Sequence, residues 1–206
     1  SDNTRELSVF LYLGEATSRL HWSLYDYFRP TNINLENFKK INPLIVYDNI
    51  YSTHTHTSPS LMDALTIKAI SDNKDLKLVS ENPRYSIVDV LKTATIDTSL
   101  YSTQAKSGSW NLASSLIFKN ANEKVYSTKY NLGNANYINK DKPYDHEFLK
   151  VLNKEIFNNL QNKNFYVFHS YAGHGNYKKN IPIEYHNNID EFYSNQNNKA
   201  IFGKKF

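Results

Sequence analysis

Three short polar fragments of this sequence stand where an apolar run stops. They are Gly14-Glu15-Ala16-Thr17-Ser18-Arg19, Thr57-Ser58-Pro59-Ser60-Leu61 and His174-Gly175-Asn176-Tyr177. If the apolar runs are parallel strands of one sheet, the fragments converge at the carboxyl ends of the strands, where open α/β sheets bind ligands. A carboxylate, a hydroxyl and an imidazole would then share one crevice. The sequence therefore predicts an active site that contains Glu15, Thr57 and His174.

The carboxylate of Glu15 stands at the exit of a predicted strand. Residues 7–13 are nearly all apolar, which is typical of a strand buried in a parallel sheet. A glutamate at such a strand end can be a hard oxygen ligand for a metal ion. Exposed glutamates are also common at strand ends, so the position alone leaves an ordinary surface role open.

The hydroxyl of Thr57 stands beside a predicted helix start. Residues 44–51 form a second apolar run, and a helical spacing of apolar residues begins at Leu61. Ser58 suits the N-cap of this helix and Pro59 suits its first position. The amides and the dipole of a helix start favour phosphate, although Ser and Thr also serve there as plain caps.

His174 follows a third apolar run, residues 165–169, and lies between Gly173 and Gly175. Glycines on both sides let the backbone and the imidazole approach a ligand closely, whereas a core histidine is usually set among bulky residues. This pattern favours a functional histidine.

Together, and in this order, the fragments resemble the phosphoethanolamine transferases of the sulfatase and alkaline phosphatase superfamily. Residues 14–27 resemble the family's motif of Gly-Glu, a Thr/Ser-Arg step and Ser-Leu-x-Gly-Tyr, and Thr57 falls on the threonine of the nucleophile segment. Ser102-Thr103-Gln104 with residues 108–111 is similar to the family's Ser-Asn-Gln strand end, and residues 173–177 are similar to its Gly-Ser-His-Gly-Pro-Tyr run. The resemblance covers most of the chain.

The resemblance implies a chemistry and a set of site residues. Glu15 and Thr57 would bind Zn²⁺, and Thr57 would attack the phosphorus of phosphatidylethanolamine to form a phosphothreonine intermediate. Coordination to zinc would activate a hydroxyl that is otherwise a poor nucleophile. His174 would hold a phosphate oxygen or pass a proton. Asn111, His174 and His56 are the candidate substrate-binding residues.

The resemblance also implies partners and a location. The donor would be phosphatidylethanolamine, and the acceptor a cell-envelope glycan such as lipid A or lipooligosaccharide. The catalytic domain would face the periplasm of a bacterial inner membrane, tied to it by an amino-terminal transmembrane region. No run in this sequence approaches the roughly 20 apolar residues of a membrane span, so we expect the chain to be a piece of a longer protein.

The sequence departs from the family at the second half of the zinc site. The family supplies an Asp-His-Gly sequence after a late strand and a further histidine beyond it, and this chain has no Asp-His-Gly. Asp190 and His186 are the nearest residues by type. We therefore expect that these 206 residues alone bind zinc weakly or not at all.

Two other activities and a second metal site stay open. A phosphodiesterase or phosphatase on the same scaffold would use water in place of the glycan, and a truncated remnant would have no activity. Sulfate-ester hydrolysis is disfavoured, because Ser58-Pro59-Ser60-Leu61 lacks the arginine of the formylglycine motif. His54 and His56 would share a face of an extended strand and could bind zinc together, with His169 and His174 as further ligands.

Composition excludes several classes of function. The absence of cysteine removes disulfides, thiolate metal sites and cysteine nucleophiles, and it departs from the disulfide-bearing lipid A branch of the family. The net charge of +4 is spread over scattered lysines and arginines, without the basic stripe of a nucleic-acid site. We expect no nucleic acid as partner, and the mild positive charge suits an anionic membrane surface or a phosphorylated glycan.

The elements that must position these residues alternate along the chain. Strands are predicted at 7–13, 44–51, 96–102 and 165–171, and helices at 15–25, 59–71, 86–94, 111–119 and 145–160. Residues 120–143 are predicted to be a long loop. Alternation of this kind indicates an α/β fold with a mainly parallel central sheet and helices on both faces, sulfatase-like but incomplete. Residues 1–206 are predicted to form a single, partial catalytic domain.

Overall fold

The structure is a computed structural model that describes residues 7–67, 85–106, 108, 111–126, 136–137, 144–158, 163–175, 180 and 182–185. Its strands are β1 (Leu7–Leu13), β2 (Thr66–Ile67), β3 (Tyr85–Ser86), β4 (Asp97–Ser102), β5 (Glu123–Tyr126), β6 (Asn136–Tyr137) and β7 (Lys163–His169). Its α-helices are α1 (Ile33–Ile41), α2 (Thr57–Leu65), α3 (Ile87–Thr93), α4 (Leu112–Ile117) and α5 (Asp145–Asn158). Short 3-10 helices lie at Arg19–His21, Ser23–Tyr25 and Ile183–Tyr185.

The central sheet is parallel throughout and has five strands in the order β1-β7-β4-β5-β6. In its register, His169 at the end of β7 pairs with Leu13 at the end of β1 and with Ser102 at the end of β4. The residues that follow these three strands therefore emerge side by side at one edge. Strands β2 and β3 form a separate antiparallel pair.

Apolar side chains cover both faces of the sheet, because successive residues of a strand point to opposite sides. On one face, Leu100 of β4 and Val167 of β7 join a core with α2, α3 and α4. On the other face, Tyr101 and Tyr166 pack with Phe148 of α5. The predicted α/β architecture with helices on both faces is confirmed. Among the described residues, no helix combines the length and the apolar character that a membrane crossing needs.

The strand predictions are confirmed at three of four places. Strands were expected at 7–13, 96–102 and 165–171, and β1, β4 and β7 lie there with small shifts of their bounds. The strand predicted at 44–51 is wrong, because this run is irregular and leaves Ile45 76% exposed. Its apolar residues are interrupted by Asp48-Asn49, which favour turns, and an apolar run becomes a strand only where a neighbour can pair with it.

The helix predictions need larger corrections at the amino-terminal end. In place of one helix at 15–25 the structure has two short 3-10 helices, Arg19–His21 and Ser23–Tyr25, because Ala16 has a φ of 45° and Trp22 between the two is extended. Helix α2 begins at Thr57 and not at Pro59, with His56 at the N-cap in place of Ser58. It ends at Leu65, where the Thr66 hydroxyl donates to the Met62 carbonyl over 2.5 Å.

The remaining elements follow the predictions more closely. Helices α3, α4 and α5 lie within the predicted spans 86–94, 111–119 and 145–160. The last residues of two predicted helices, 159–160 of α5 and 68–71 of α2, lie outside the described residues. The segment 120–143 contains β5 and β6, so the prediction of one long loop is wrong in part; residues 127–135 and 138–143 lie outside the described residues. Helix α1 was not predicted.

Candidate functional site

The side chains of Glu15 and Thr57 are in direct contact. Glu15 lies two residues beyond the end of β1, and Thr57 is the first residue of α2. The Thr57 hydroxyl donates a hydrogen bond of 2.5 Å to Oε1 of Glu15. Glu15 is only 8% exposed, so its carboxylate is largely removed from water. The arrangement gives the hydroxyl a defined acceptor for its proton at the carboxyl edge of the sheet.

Thr57 is positioned by a different element from the one expected. The prediction placed Thr57 after a strand of the same sheet as β1, but residues 44–51 are not in the sheet. Thr57 instead stands at the amino-terminal end of α2, which packs on the sheet through Met62 and Leu65. A helix start carries a partial positive charge that favours a nearby anion. The threonine is thus presented at a place suited to phosphate.

The backbone of Glu15 is held by close packing against the loop after β7. A Cβ atom on Gly173 would lie 1.9 Å from the Glu15 carbonyl oxygen, well inside any normal contact. Only glycine fits there without displacing one of the two segments. The Thr17 hydroxyl also donates to this carbonyl, over 3.1 Å. Gly173 therefore brings the segment that carries His174 against the segment that carries Glu15.

The second oxygen of the Glu15 carboxylate is bonded to Gln104. The side-chain amide nitrogen Nε2 of Gln104 donates to Oε2 of Glu15 over 2.8 Å and to the Ser170 carbonyl over 3.0 Å. It also lies 3.1 Å from Nε2 of His169. All four residues are buried. The ends of β1, β4 and β7 are therefore joined through one amide group.

His169 is a buried histidine that the surroundings keep neutral. Burial lowers its pKa, while the negative charges of Glu15 and Asp145 oppose that shift without reversing it. Its Nδ1 has no hydrogen-bond partner among the described residues. A buried charge without a partner is costly, so the uncharged ring is the form that fits this position.

Asp145, the first residue of α5, gathers hydroxyl groups from three strand ends. It accepts hydrogen bonds from Thr103 over 2.8 Å, from Ser170, and from Tyr12 over 3.4 Å. Burial raises the pKa of Tyr12, and the charge of Asp145 adds to the shift. Asp145 thereby fixes α5 to the same edge of the sheet that carries Glu15.

Three other predicted site residues, His174, His56 and Asn111, make no side-chain hydrogen bond to Glu15 or Thr57 in the described part of the chain. His174 is exposed, and its ring stacks on Tyr171 with centroids 4.8 Å apart. His56 is exposed at the N-cap of α2, with its Nδ1 3.1 Å from the Thr55 hydroxyl. Asn111 stands at the N-cap of α4, a helix that packs against α2. Their substrate-binding roles stay predictions.

The alternative zinc site of four histidines is not assembled. His54 bonds to Asp63 over 3.1 Å and His56 contacts Thr55, while His169 is buried beside Gln104. Within the described part of the chain, no three His, Asp or Glu side chains form a group that could hold a metal ion. The residues 53–56 make bends in place of the extended strand that would have put His54 and His56 on one face.

The described residues include suitable ligands for the zinc that the resemblance implies, but too few of them to complete a site. Glu15 Oε1 and Thr57 Oγ1 converge as two oxygen donors, and a carboxylate is an ordinary zinc ligand. Zinc normally takes at least three ligands from protein. Asp190 and His186, the nearest further candidates by type, lie outside the described residues.

Sequence reasoning did not assign roles to Gln104, Asp145 or Ser170. Each of them is a polar residue just beyond a strand or at a helix start, as are Glu15 and Thr57. That signal was present in the sequence as Ser102-Thr103-Gln104 after one apolar run and Ser170 after another. The pairing of β4 with β7 was needed to show that these residues meet.

Comparison with known proteins shows the family of the chain. A family model described as Sulfatase matches residues 8–200. The chain is 27% identical over 176 residues to phosphoethanolamine transferase EptC of Escherichia coli K12, and 26% identical over 176 residues to phosphoethanolamine transferase CptA of Salmonella typhimurium LT2. Each match covers 85% of this chain and 28% of the relative.

Solved structures show the same fold. The C-terminal periplasmic domain of EptC from Escherichia coli, in complex with Zn, superposes with a TM-score of 0.72 at 24% identity, over 95% of this chain and 51% of that domain. The corresponding domain of EptC from Campylobacter jejuni gives a TM-score of 0.61 at 20% identity, over 88% of this chain and 50% of that domain. The chain thus spans about half of the solved domains.

Proposed function

The chain belongs to the sulfatase family, and on that premise we propose that it carries the nucleophile of a zinc-dependent phosphoethanolamine transferase. The donor is phosphatidylethanolamine and the acceptor is a hydroxyl or phosphate group of a cell-envelope glycan such as lipid A. Relatives named as phosphoethanolamine transferases support the reaction class. The whole protein acts at the periplasmic side of a bacterial inner membrane, where its lipid donor is found.

One observation carries this proposal, namely the contact between the Thr57 hydroxyl and the Glu15 carboxylate. An unassisted threonine hydroxyl is a weak nucleophile, and it needs a neighbouring base or a metal ion to lose its proton. The contact of 2.5 Å places a buried carboxylate on that proton. The helix start at Thr57 adds a positive potential for the incoming phosphate.

The reaction proceeds as two displacements at phosphorus. In the first, Oγ1 of Thr57 bonds to the phosphorus, the bond to the diacylglycerol oxygen breaks, and diacylglycerol leaves with the proton that Thr57 gave up. In the second, an acceptor oxygen bonds to the phosphorus, the Thr57 ester breaks, and the acceptor's proton returns to Thr57. Glu15 orients the hydroxyl and receives its hydrogen bond at the start of the cycle.

Glu15 and Thr57 are the described residues that would hold zinc. When bound, a zinc ion lowers the pKa of a coordinated hydroxyl and offsets the negative charge of the phosphoryl oxygens. His174, on the loop held by Gly173, supplies a hydrogen bond or a proton to the phosphoryl group. Asn111 and His56, at the starts of two packed helices, contact the substrate.

The test is a search for the covalent intermediate. Incubation of the whole protein, of which this chain is proposed to be a part, with phosphatidylethanolamine in detergent micelles and with zinc should leave a phosphoethanolamine adduct on the tryptic peptide 41–68. Fragmentation by mass spectrometry should place that adduct on Thr57. Thr57→Ala should abolish the adduct and the transfer, because covalent catalysis has no bypass once its nucleophile is gone.

Thr55→Ala is the matched control, because Thr55 lies two residues away and its hydroxyl contacts His56, not Glu15. This variant should keep the adduct. An adduct located on Thr55, or transfer that survives Thr57→Ala, contradicts the assignment. An adduct that forms on Thr57 but is released only to water would indicate a phosphodiesterase on the same scaffold.

A further inference from the structure

The Gln104 side chain connects the candidate nucleophile site to the interior of the sheet. Its Nε2 lies 2.8 Å from Oε2 of Glu15, 3.0 Å from the Ser170 carbonyl and 3.1 Å from Nε2 of His169. Gln104 is 8% exposed. The amide is therefore committed to protein acceptors and has little surface left for a ligand.

The orientation of this amide is fixed by its neighbours. A carboxylate oxygen and a backbone carbonyl can only accept hydrogen bonds, so the NH₂ group must face Glu15 and Ser170. The reversed amide would place its oxygen against both acceptors at about 3 Å and lose both hydrogen bonds. The amide thus acts as a donor toward the end of β1 and toward the segment after β7.

Gln104 is itself held rigidly. Its backbone N–H donates to the Ser102 hydroxyl over 3.1 Å. The preceding residue, Thr103, continues the pairing of β4 with β7 through a hydrogen bond of 3.0 Å from its N–H to the His169 carbonyl. A donor on an ordered strand end can set the direction of a partner side chain more accurately than one on a free loop.

The two oxygens of Glu15 have divided roles. Oε2 accepts from Gln104, and Oε1 accepts from Thr57. Because a carboxylate is planar, holding Oε2 in place fixes where Oε1 points. Without that bond, the Glu15 side chain could adopt other rotamers, and Oε1 would no longer be held toward the Thr57 hydroxyl.

We propose that Gln104 is a positioning residue, which holds the Glu15 carboxylate on the Thr57 hydroxyl. It acts through Glu15 and does not touch the substrate. The proposal extends the proposed function, since it assigns a role in activating the same nucleophile. It also stands on the geometry of the carboxylate, which can be measured without any reaction.

The test uses Gln104→Met, which keeps the length of the side chain and removes both donors. In crystal structures of the two proteins, the wild type should keep the Glu15 to Thr57 hydrogen bond and the variant should lose it. The rate of adduct formation on Thr57 at saturating phosphatidylethanolamine should fall about 10- to 100-fold, as is usual when a residue that orients a site residue by a hydrogen bond is removed. KM for the donor should stay unchanged, because Gln104 has no contact with it.

Thr103→Val is the matched control. It removes two side-chain hydrogen bonds at the same strand end, the one that Thr103 donates to Asp145 and the one that it accepts from the Tyr171 N–H, and neither involves Glu15. The control should keep the Glu15 to Thr57 contact and the rate of adduct formation, even where its stability falls. Glu15 still bonded to Thr57 in Gln104→Met, or a loss expressed in KM alone, overturns the proposal. If the whole wild-type protein forms no adduct, the proposed function fails, and the crystal structures still decide the role of Gln104.

Discussion

The Glu15 carboxylate is buried and has each of its oxygens bonded to a different side chain. Burying a carboxylate is unfavourable unless hydrogen bonds replace those lost to water. Gln104 and Thr57 supply these bonds, and the price is that the carboxylate can point in only one direction. The same two hydrogen bonds stabilise the buried charge of Glu15 and fix its orientation. A change that breaks either bond therefore affects both.

His169 makes the stability of the domain sensitive to mild acid. Burial holds its folded-state pKa below the value of about 6.5 that a histidine has in the unfolded chain. As pH falls through about 6.5, His169 takes up a proton in the unfolded chain but stays neutral in the folded protein. The free energy of unfolding should then decrease by up to about 1.4 kcal/mol per pH unit, and above about pH 7 the contribution vanishes.

Urea unfolding at about pH 7 and at about pH 5 measures this effect. His169→Gln keeps a neutral polar group at the position, so its stability should depend less on pH over that interval. Equal pH dependence in the two proteins would show that the pKa of His169 is not lowered in the folded state.

At the residue scale, the sequence predicted which side chains have suitable chemistry but not which ones support them. Glu15 and Thr57 were found because each follows a recognisable local pattern. Gln104 was noticed only as part of a strand-end motif, and the sequence assigned no contact to it or to Asp145, because their partners lie 89 and 42 residues away along the chain. Contacts of that range depend on strand order, which no local pattern contains.

At the scale of elements, the site depends on how three strand ends and one helix start meet. The prediction that Thr57 and Glu15 lie together used a strand at 44–51 that does not exist in the structure. The two residues meet because α2 packs on the sheet next to the end of β1. The apolar spacing that begins at Leu61 predicted this helix but not its packing, and the apolar run before it does not form a strand.

The close approach of Gly173 to Glu15 predicts that alanine at Gly173 destabilises the protein, whereas alanine at Gly175 does not. In Gly173→Ala the new methyl group would meet the Glu15 carbonyl at 1.9 Å, so one backbone segment must move. We expect a loss of about 1–3 kcal/mol in the free energy of unfolding, the usual range for overpacking. Adduct formation on Thr57 should fall as well, since Glu15 is displaced.

Gly175→Ala is the control for that loss, because no atom of the described residues lies within 4 Å of a Cβ at Gly175. This variant should unfold at the wild-type urea concentration or slightly above it, owing to reduced freedom of the unfolded chain. Equal destabilisation by the two substitutions would mean that the contact between Gly173 and Glu15 is not as the structure shows it.

At the scale of the whole molecule, the alternation of apolar strands and amphipathic helices was enough to predict the class of fold. It predicted the parallel sheet and the cover on both faces, because each strand must bury two apolar sides. It did not predict β5 and β6, which are short and lie in a polar stretch. That residues 1–206 form one domain remains a prediction.

Zinc affinity is a property of the whole assembly of ligands, and the last prediction concerns it. Glu15 and Thr57 offer two oxygen donors, and the sequence contains no Asp-His-Gly, the motif that the family resemblance led us to expect for further ligands. Calorimetry on the EDTA-treated 206-residue protein should therefore show weak zinc binding or none, since a stable site needs at least three protein ligands. Submicromolar affinity that Glu15→Ala abolishes would mean that residues such as His186 or Asp190 complete the site. In that case zinc should also raise the melting temperature of the wild type and leave that of Glu15→Ala unchanged, because a ligand stabilises only the folded state that binds it.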